Sequence, residues 1–189
     1  MYHASPAHDP PPEGKRRPNT MSSVRFPVAV FMQRFPVASR WTSERWEPVA
    51  AEALATDEPP GVTRVSGDQE QWRFSGLYVE LHGSEAEGYH LNLTAESPRL
   101  FVMWREREPD ALEAGAPPVF PVVVTASYNQ AARMLDGGER VDPIAMPPLI
   151  QEWLIPYTQA HYRAEPRKKV RRNDPLADQA SRGPRGADA

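Results

Sequence analysis

The residues best suited to binding chemistry lie in one octapeptide, Arg40 to Glu47, which reads RWTSERWE. It combines two tryptophans, two arginines and two glutamates without a glycine or proline. Indole rings attract guanidinium groups, and the arginine fork can bind a carboxylate. Tryptophan and arginine are also enriched among the residues that dominate protein–protein binding energies. The predicted partner-binding surface consists of Arg40, Trp41, Glu44, Arg45 and Trp46.

The same octapeptide also has a purely structural interpretation. Tryptophan is highly buried on average, so Trp41 and Trp46 can both belong to the core. Arg45 would then pair with Glu44 or Glu47 at the rim. An anion held by the arginines is a third interpretation. The binding interpretation requires that the ring of Trp41 or Trp46 is exposed, and the structural interpretation requires that both are buried. The sequence does not decide between them.

A metal site depends on the register of two predicted strands. If a strand near Tyr89 pairs with the one ending at Leu81, His82 lies opposite His90, with Glu80 nearby. Two histidines and a carboxylate on one sheet face are suitable zinc ligands. Ordinary exposed polar faces show the same pattern. We therefore expect neither a metal nor a cofactor, and a metal-dependent enzyme or binder using His82, His90 and Glu80 is the alternative.

A basic run follows the last apolar residues. Its six positive residues are Arg163, Arg167, Lys168, Lys169, Arg171 and Arg172, with Glu165 among them. Such a run can contact phosphate or an acidic protein surface. No aromatic stacking platform or nucleic-acid motif accompanies it. It is also typical of a solvated tail with no specific role. Between the two kinds of partner the sequence favours an acidic protein, and a nucleic-acid-binding regulator is the further alternative.

Catalytic motifs are missing from the sequence. The chain has no cysteine, which excludes disulfides, thiolate catalysis and Cys-ligated metals held by the chain itself. No GxSxG, phosphate-binding loop or HExxH sequence occurs. We therefore predict a protein that is not an enzyme, with no catalytic residues.

Composition divides the chain into three segments. Residues 1–23 are rich in proline and lack apolar periodicity, so we predict disorder there; Met21 is an alternative start to Met1. Residues 24–163 are predicted to form a single acidic domain, and 164–189 a basic, disordered tail.

No apolar run approaches the roughly 20 residues that span a bilayer, so we expect a cytoplasmic protein with no membrane partner.

Apolar periodicity within 24–163 predicts an α+β fold, an antiparallel, meander-like sheet with two C-terminal helices. A phase slip near Gly76 indicates a β-bulge. The predicted strands are Phe26–Val37, Arg45–Leu54, Trp72–Leu81, Tyr89–Thr94, Leu100–Trp104 and Val119–Thr125.

Two helices are predicted after the last strand. Ser127 and Gln130 fit a capping box at the start of the first, and Gly137-Gly138 would end it. Pro147-Pro148 would start the second, in which an apolar stripe includes Ile150 and Leu154. Pro156 cannot donate a backbone hydrogen bond, so we expect a kink or break there.

Three segments together resemble a known family: FPVAVFMQRFPVASRWTSERWEPVA, GYHLNLTAESPRLFVMWR and VTASYNQAARMLDGGERVDPIAMPPLIQEWLIPYTQAHYRAEPRKK. The chain is similar here, over roughly Phe26 to Lys169, to uncharacterised proteobacterial proteins with a domain of unknown function. The genes of that family often lie beside those of molybdenum-dependent formate dehydrogenase. The resemblance implies a non-catalytic accessory role in assembly or operation of that enzyme. The expected partners are its subunits or maturation factors.

Overall fold

The structure is a computed structural model, and it describes residues 24–37, 44–112 and 114–164. The two ends that are predicted to be disordered therefore lie outside the described residues, apart from Ala164. Within the described residues the chain forms seven strands and three α-helices. The strands are β1 (Val24–Pro36), β2 (Glu44–Ala53), β3 (Gly61–Val65), β4 (Gln71–Leu81), β5 (Arg99–Glu106), β6 (Val119–Thr125) and β7 (Arg140–Ala145). The helices are α1 (Ala86–Leu93), α2 (Tyr128–Asp136) and α3 (Pro148–His161), with short 3-10 turns at Gly83–Glu85 and Pro109–Ala111.

All strands belong to one mixed sheet. Its order is β2-β1-β4-β6-β5-β7, and β3 pairs with β4 beside this path. Every pairing is antiparallel except that of β4 with β6, where Val79 lies opposite Val124. The parallel pair and the strand order show that the prediction of an antiparallel, meander-like sheet is wrong, and the predicted α+β fold is mostly β, with three α-helices in the described residues. The parallel pair arises because the chain passes through α1 and β5 after β4. Strand β6 then inserts between β4 and β5 and runs in the same direction as β4.

The sheet curves until it is nearly a barrel. Its two outermost strands in the order, β2 and β7, lie against each other. The pairings fix the strand directions: β1 and β5 run one way, whereas β2, β4, β6 and β7 run the other. One end of the near-barrel is therefore formed where β1 and β5 finish and β2, β6 and β7 begin. We call this end the mouth.

The core lies inside the curved sheet and under α1 and α3. Val28, Ala29 and Val30 of β1 are all fully buried, so this strand is covered on both faces. Helix α3 buries Ile150 and Leu154 from its predicted stripe. All three α-helices follow strands that finish at the end opposite the mouth, and α1 packs on α3.

The predicted bulge near Gly76 is confirmed. Val28 pairs with Leu77 and Val30 with Phe74, so two residues of β4 lie opposite the single residue Ala29. Gly76 has φ +79°, a left-handed conformation that favours glycine. A Cβ atom at this position would also lie 2.5 Å from the Cα atom of Pro60.

The predicted strand Tyr89–Thr94 is wrong, because these residues lie in and just after α1. The buried side chains Ala86, Tyr89 and Asn92 recur every third residue, which is helical spacing. Asn92 donates to the carbonyl oxygens of Arg99 and Ala126, both at 2.7 Å, and accepts from the Arg99 amide at 2.9 Å. These bonds require the helical position of Asn92, and they outweigh the apolar alternation of the segment.

Both predicted C-terminal helices are present. Ser127 Oγ accepts a hydrogen bond from the Gln130 amide at 3.0 Å, and Gly138, at φ +83°, follows the end of α2. The reciprocal half of the capping box is replaced, because the Gln130 side chain accepts from Thr125 Oγ1. Helix α3 continues through Pro156 to His161, so a break there is wrong. Among the described residues, we find no helix with the length and apolar character needed to cross a membrane.

Candidate binding site at the barrel mouth

The mouth contains a cavity of about 880 Å³. This volume lies within the range of small-molecule and peptide-side-chain pockets, and barrel mouths are a common place for them. Consecutive residues of both outer strands line it. The lining includes Glu44–Glu47 of β2, Arg140–Asp142 of β7, Trp104 and Glu106 of β5, Arg107 just after β5, Val119 of β6 and Leu135 of α2.

Trp46 forms one wall of the cavity. It is only 7% exposed and belongs to the main hydrophobic core. Its indole Nε1 is buried and has no hydrogen-bond partner within the part of the chain that the structure describes. An unsatisfied buried donor costs about 1–3 kcal/mol.

Trp104 also lines the cavity and is held in place by polar contacts. Its indole Nε1 donates to Asp142 Oδ2 at 2.6 Å. The Arg140 guanidinium lies 5.1 Å from the centre of the Trp104 ring and forms an ion pair with Glu106. The ring is therefore fixed by a carboxylate at its edge and a cation over its face.

Most of the charges of β2 at the mouth are paired. Arg45 forms an ion pair with Glu47 at 2.8 Å and lies over Phe35. Glu44 accepts from Arg34 at 3.0 Å, and this hydrogen bond is the largest cause of a raised pKa at Arg34, followed by the charge of Glu70.

Arg107 differs from the other arginines of the lining. Its Nε donates to the Pro117 carbonyl at 3.2 Å, and its guanidinium lies 4.9 Å from the centre of the Phe120 ring. No carboxylate of the described residues pairs with it. Its side chain is half-buried and borders both this cavity and a neighbouring one lined by Val62, Trp72 and Ala114–Pro117. Arg107 therefore offers a planar fork of donors for a carboxylate or phosphate.

The structure places the predicted octapeptide partly at this cavity. Glu44, Arg45 and Trp46 line it, whereas Arg40 and Trp41 lie outside the described residues. For Trp46 and Arg45 the structural interpretation holds, because the ring is core and Arg45 pairs with Glu47. The edge of this core residue nevertheless forms part of a cavity wall.

Sequence reasoning missed the part of the lining that lies in and just after β5. Trp104, Glu106 and Arg107 belong to the run Trp104-Arg105-Glu106-Arg107, which repeats the tryptophan, arginine and glutamate composition of the octapeptide. That composition was a usable signal. Its convergence with the octapeptide follows from the near-closure of the sheet, which local sequence does not encode.

The proposed metal ligands do not come together. His82 Nε2 lies 3.8 Å from Glu80 Oε2, whereas His90 lies on α1 with its ring stacked on Tyr162 at 4.0 Å. No group of three or more histidine, cysteine, aspartate or glutamate side chains in the described ranges could hold a metal ion. The strand register that would have united them does not exist, because Tyr89–Thr94 is not a strand.

Of the six positive residues in the basic run, the structure describes only Arg163. Arg163 is exposed, and its Nη1 donates to the Tyr162 carbonyl at 3.1 Å. The remaining predicted tail residues, Arg167, Lys168, Lys169, Arg171 and Arg172, lie outside the described residues.

The fold and site thus define a mixed, seven-stranded near-barrel with a polar-aromatic cavity at its mouth. The chain belongs to the family described as "Protein of unknown function (DUF3305)", whose model matches residues 27–171. That match covers well over half of the chain and includes all seven strands and all three α-helices of the described residues except the first three residues of β1. No curated protein and no solved structure matches the chain significantly.

Proposed function

We propose that this protein is a non-catalytic accessory protein that binds a polypeptide partner at the barrel mouth. The observation that carries the proposal is the cavity of about 880 Å³ at the mouth, whose lining includes Trp46, Trp104 and Arg107. Tryptophan and arginine in a partly desolvated pocket are typical of the residues that dominate binding energy at protein interfaces.

The chemistry of the lining supports binding rather than catalysis. As far as the described residues go, the lining contains no histidine, serine, cysteine or lysine, the side chains that most often serve as nucleophile or base. Its carboxylates Glu47 and Glu106 are engaged with Arg45 and Arg140. The groups that remain available are the donors of Arg107, one carboxylate oxygen of Asp142 and aromatic surface, which suit recognition.

The identity of the partner rests on the family resemblance. In the family that the sequence resembles, the genes often lie beside those of molybdenum-dependent formate dehydrogenase. We therefore propose that the partner is a subunit of that dehydrogenase or one of the maturation factors of the enzyme. The protein would act in the assembly or operation of that enzyme in the cytoplasm.

The test combines a deletion strain with variants at two exposed leucines. Leu135 lines the mouth and is 54% exposed, whereas Leu149 lies on α3 outside the lining and is 60% exposed. We expect the deletion strain to lose formate dehydrogenase activity, and wild-type protein and Leu149→Arg to restore it and to co-purify with dehydrogenase components. Leu135→Arg should do neither, although its thermal unfolding should match that of Leu149→Arg.

Normal dehydrogenase activity in the deletion strain, with no dehydrogenase component co-purifying, would overturn the accessory role. If Leu135→Arg restored activity and co-purified as well as Leu149→Arg, the mouth would not be the binding site.

A further inference from the structure

We infer that the mouth recognises a carboxylate of an extended polypeptide segment, either an acidic side chain or a free C-terminus, with Arg107 as the group that binds it. This inference rests on the proposed function and specifies the chemistry of its ligand. It follows from the charges that stay unpaired at the mouth once the internal contacts are assigned.

Two charged side chains of the lining have no ion pair among the described residues. One is Arg107, whose Nε is used by the Pro117 carbonyl and whose remaining nitrogens can form a bidentate pair with a carboxylate. The other is Asp142, which accepts one hydrogen bond from Trp104 and has a second oxygen that can accept another. A complementary ligand therefore carries an anion for Arg107 and a hydrogen-bond donor for Asp142.

A polypeptide meets both requirements together, because its backbone supplies an N–H beside an acidic group. The phosphodiester backbone of DNA supplies acceptors and no donor.

The carboxylates of the lining also disfavour a multiply charged anion. Glu44, Glu47, Glu106 and Asp142 all border the cavity. A phosphate would bring more negative charge among them than a single carboxylate does, and like charges repel more strongly as water is excluded. The mouth therefore fits a singly charged anion on a polypeptide.

The experiment is selection of random peptides against the immobilised full chain from two display libraries. In one library the peptides have a free C-terminus; in the other the C-terminus is fused, so that only side chains supply a carboxylate. The baits are wild type, Arg107→Gln and Arg64→Gln. Arg64 is an exposed arginine of β3, outside the lining and without an ion pair among the described residues. All three baits retain the basic tail, so any acidic preference caused by the tail is common to them.

We expect wild type and Arg64→Gln to select peptides with an acidic residue at a fixed position, or with a required free C-terminus, and Arg107→Gln to lose that requirement. For a selected peptide, Arg107→Gln should raise Kd by about tenfold or more. Neutralising the carboxylate of the peptide should cost the same factor in wild type and little further in Arg107→Gln, since both changes remove one contact.

Two results would overturn the inference, and they have different meanings. Peptides that bind at the mouth without any fixed carboxylate, and equally to Arg107→Gln, would refute carboxylate recognition and leave the proposed function standing. Selected peptides that bind Leu135→Arg as tightly as wild type would show that the mouth is not the polypeptide site, and both proposals would fail. Equal thermal unfolding of the three baits checks that binding differences are not folding differences.

Discussion

Tyr89 and Asn92 are polar residues of α1 that lie one helical turn apart and are both buried. The Tyr89 hydroxyl accepts from the His82 amide at 3.1 Å, and Asn92 holds the start of β5 and the end of β6 through its three hydrogen bonds. Buried polar groups are stable only in the geometry that satisfies them. At the scale of the residue, these two side chains fix where α1 lies against the sheet.

Tyr89 leads to a prediction about stability at alkaline pH. Burial raises the pKa of Tyr89 from 10.0 to about 12, with a further contribution from the Glu85 carboxylate, although the hydrogen bond from the His82 amide acts in the opposite direction. The folded protein thus holds this proton more tightly than the unfolded chain does. The resulting stability is complete below pH 10 and is lost as the pH rises from 10 towards 12, by up to about 2–3 kcal/mol.

Urea unfolding measured at several pH values between about 9 and 12 checks this, with Tyr89→Phe as the comparison. The phenylalanine variant has lower stability at neutral pH because the His82 amide loses its acceptor, but its free energy of unfolding should fall less steeply above pH 10. Parallel curves for the two proteins would show that Tyr89 does not contribute to the alkaline loss.

At the scale of the element, β4 connects both parts of the sheet. Its first half pairs with β1 and β3, and its second half pairs with β1 and β6. The bulge at Ser75-Gly76 lies between these halves, where the neighbour on one side changes from β3 to β6. A bulge bends a strand and increases its twist. We infer that this bend helps to curve the sheet towards closure.

The bulge gives a prediction that separates backbone strain from crowding. Gly76 and Gly138 both have positive φ, 79° and 83°, but a Cβ atom meets Pro60 at 2.5 Å at position 76 and has no neighbour within 4 Å at position 138. Gly138→Ala should cost about 1 kcal/mol of unfolding free energy from strain alone. Gly76→Ala should cost about 1–3 kcal/mol more, because the Pro60 backbone must shift.

Urea denaturation of both variants measures the two costs. Equal losses would mean that the contact between Gly76 and Pro60 is not tight in solution, and that conformational strain explains both substitutions.

At the scale of the whole molecule, the near-closure of the sheet creates the site. Strands β2 and β7 are far apart in sequence and at opposite ends of the pairing order, yet both begin at the mouth and line one cavity. Because a site on rigid strands is positioned more precisely than one on loops, β2 and β5 can hold Trp46 and Trp104 at a fixed separation.

The side-by-side arrangement of β2 and β7 can be tested by cross-linking, since the chain has no cysteine of its own. Glu47→Cys and Val141→Cys place thiols on residues that line the same cavity. A short bismaleimide should join this pair rapidly within one chain. The control pair, Glu47→Cys with Ala145→Cys, should react slowly because position 145 lies roughly four residues, about 13 Å, further along β7. Equal rates for the two pairs would contradict the direction of β7 and its position beside β2.

The sequence by itself determined several local elements of this protein. Apolar runs located β1, β2, β4, β5 and β6, the phase slip located the bulge, and capping residues located α2 and the start of α3. These features succeed because periodicity, turn glycines and helix caps act over a few residues. Strands β3 and β7 were missed because they are short and carry few apolar residues, and α1 was mistaken for a strand because its burial includes the polar Asn92.

Only the tertiary structure decided the sheet order and the site. The octapeptide contributes Glu44–Glu47 to the mouth, but most of the remaining lining comes from β5 and β7, roughly 60 to 95 residues later. Which strands become neighbours depends on long-range pairing and closure, and these leave no periodic signal in either segment. The sequence identified Trp46 and Arg45 as residues for binding or for the core. The fold buries the ring of Trp46 in the core and also places this residue in the lining of the cavity, together with Trp104.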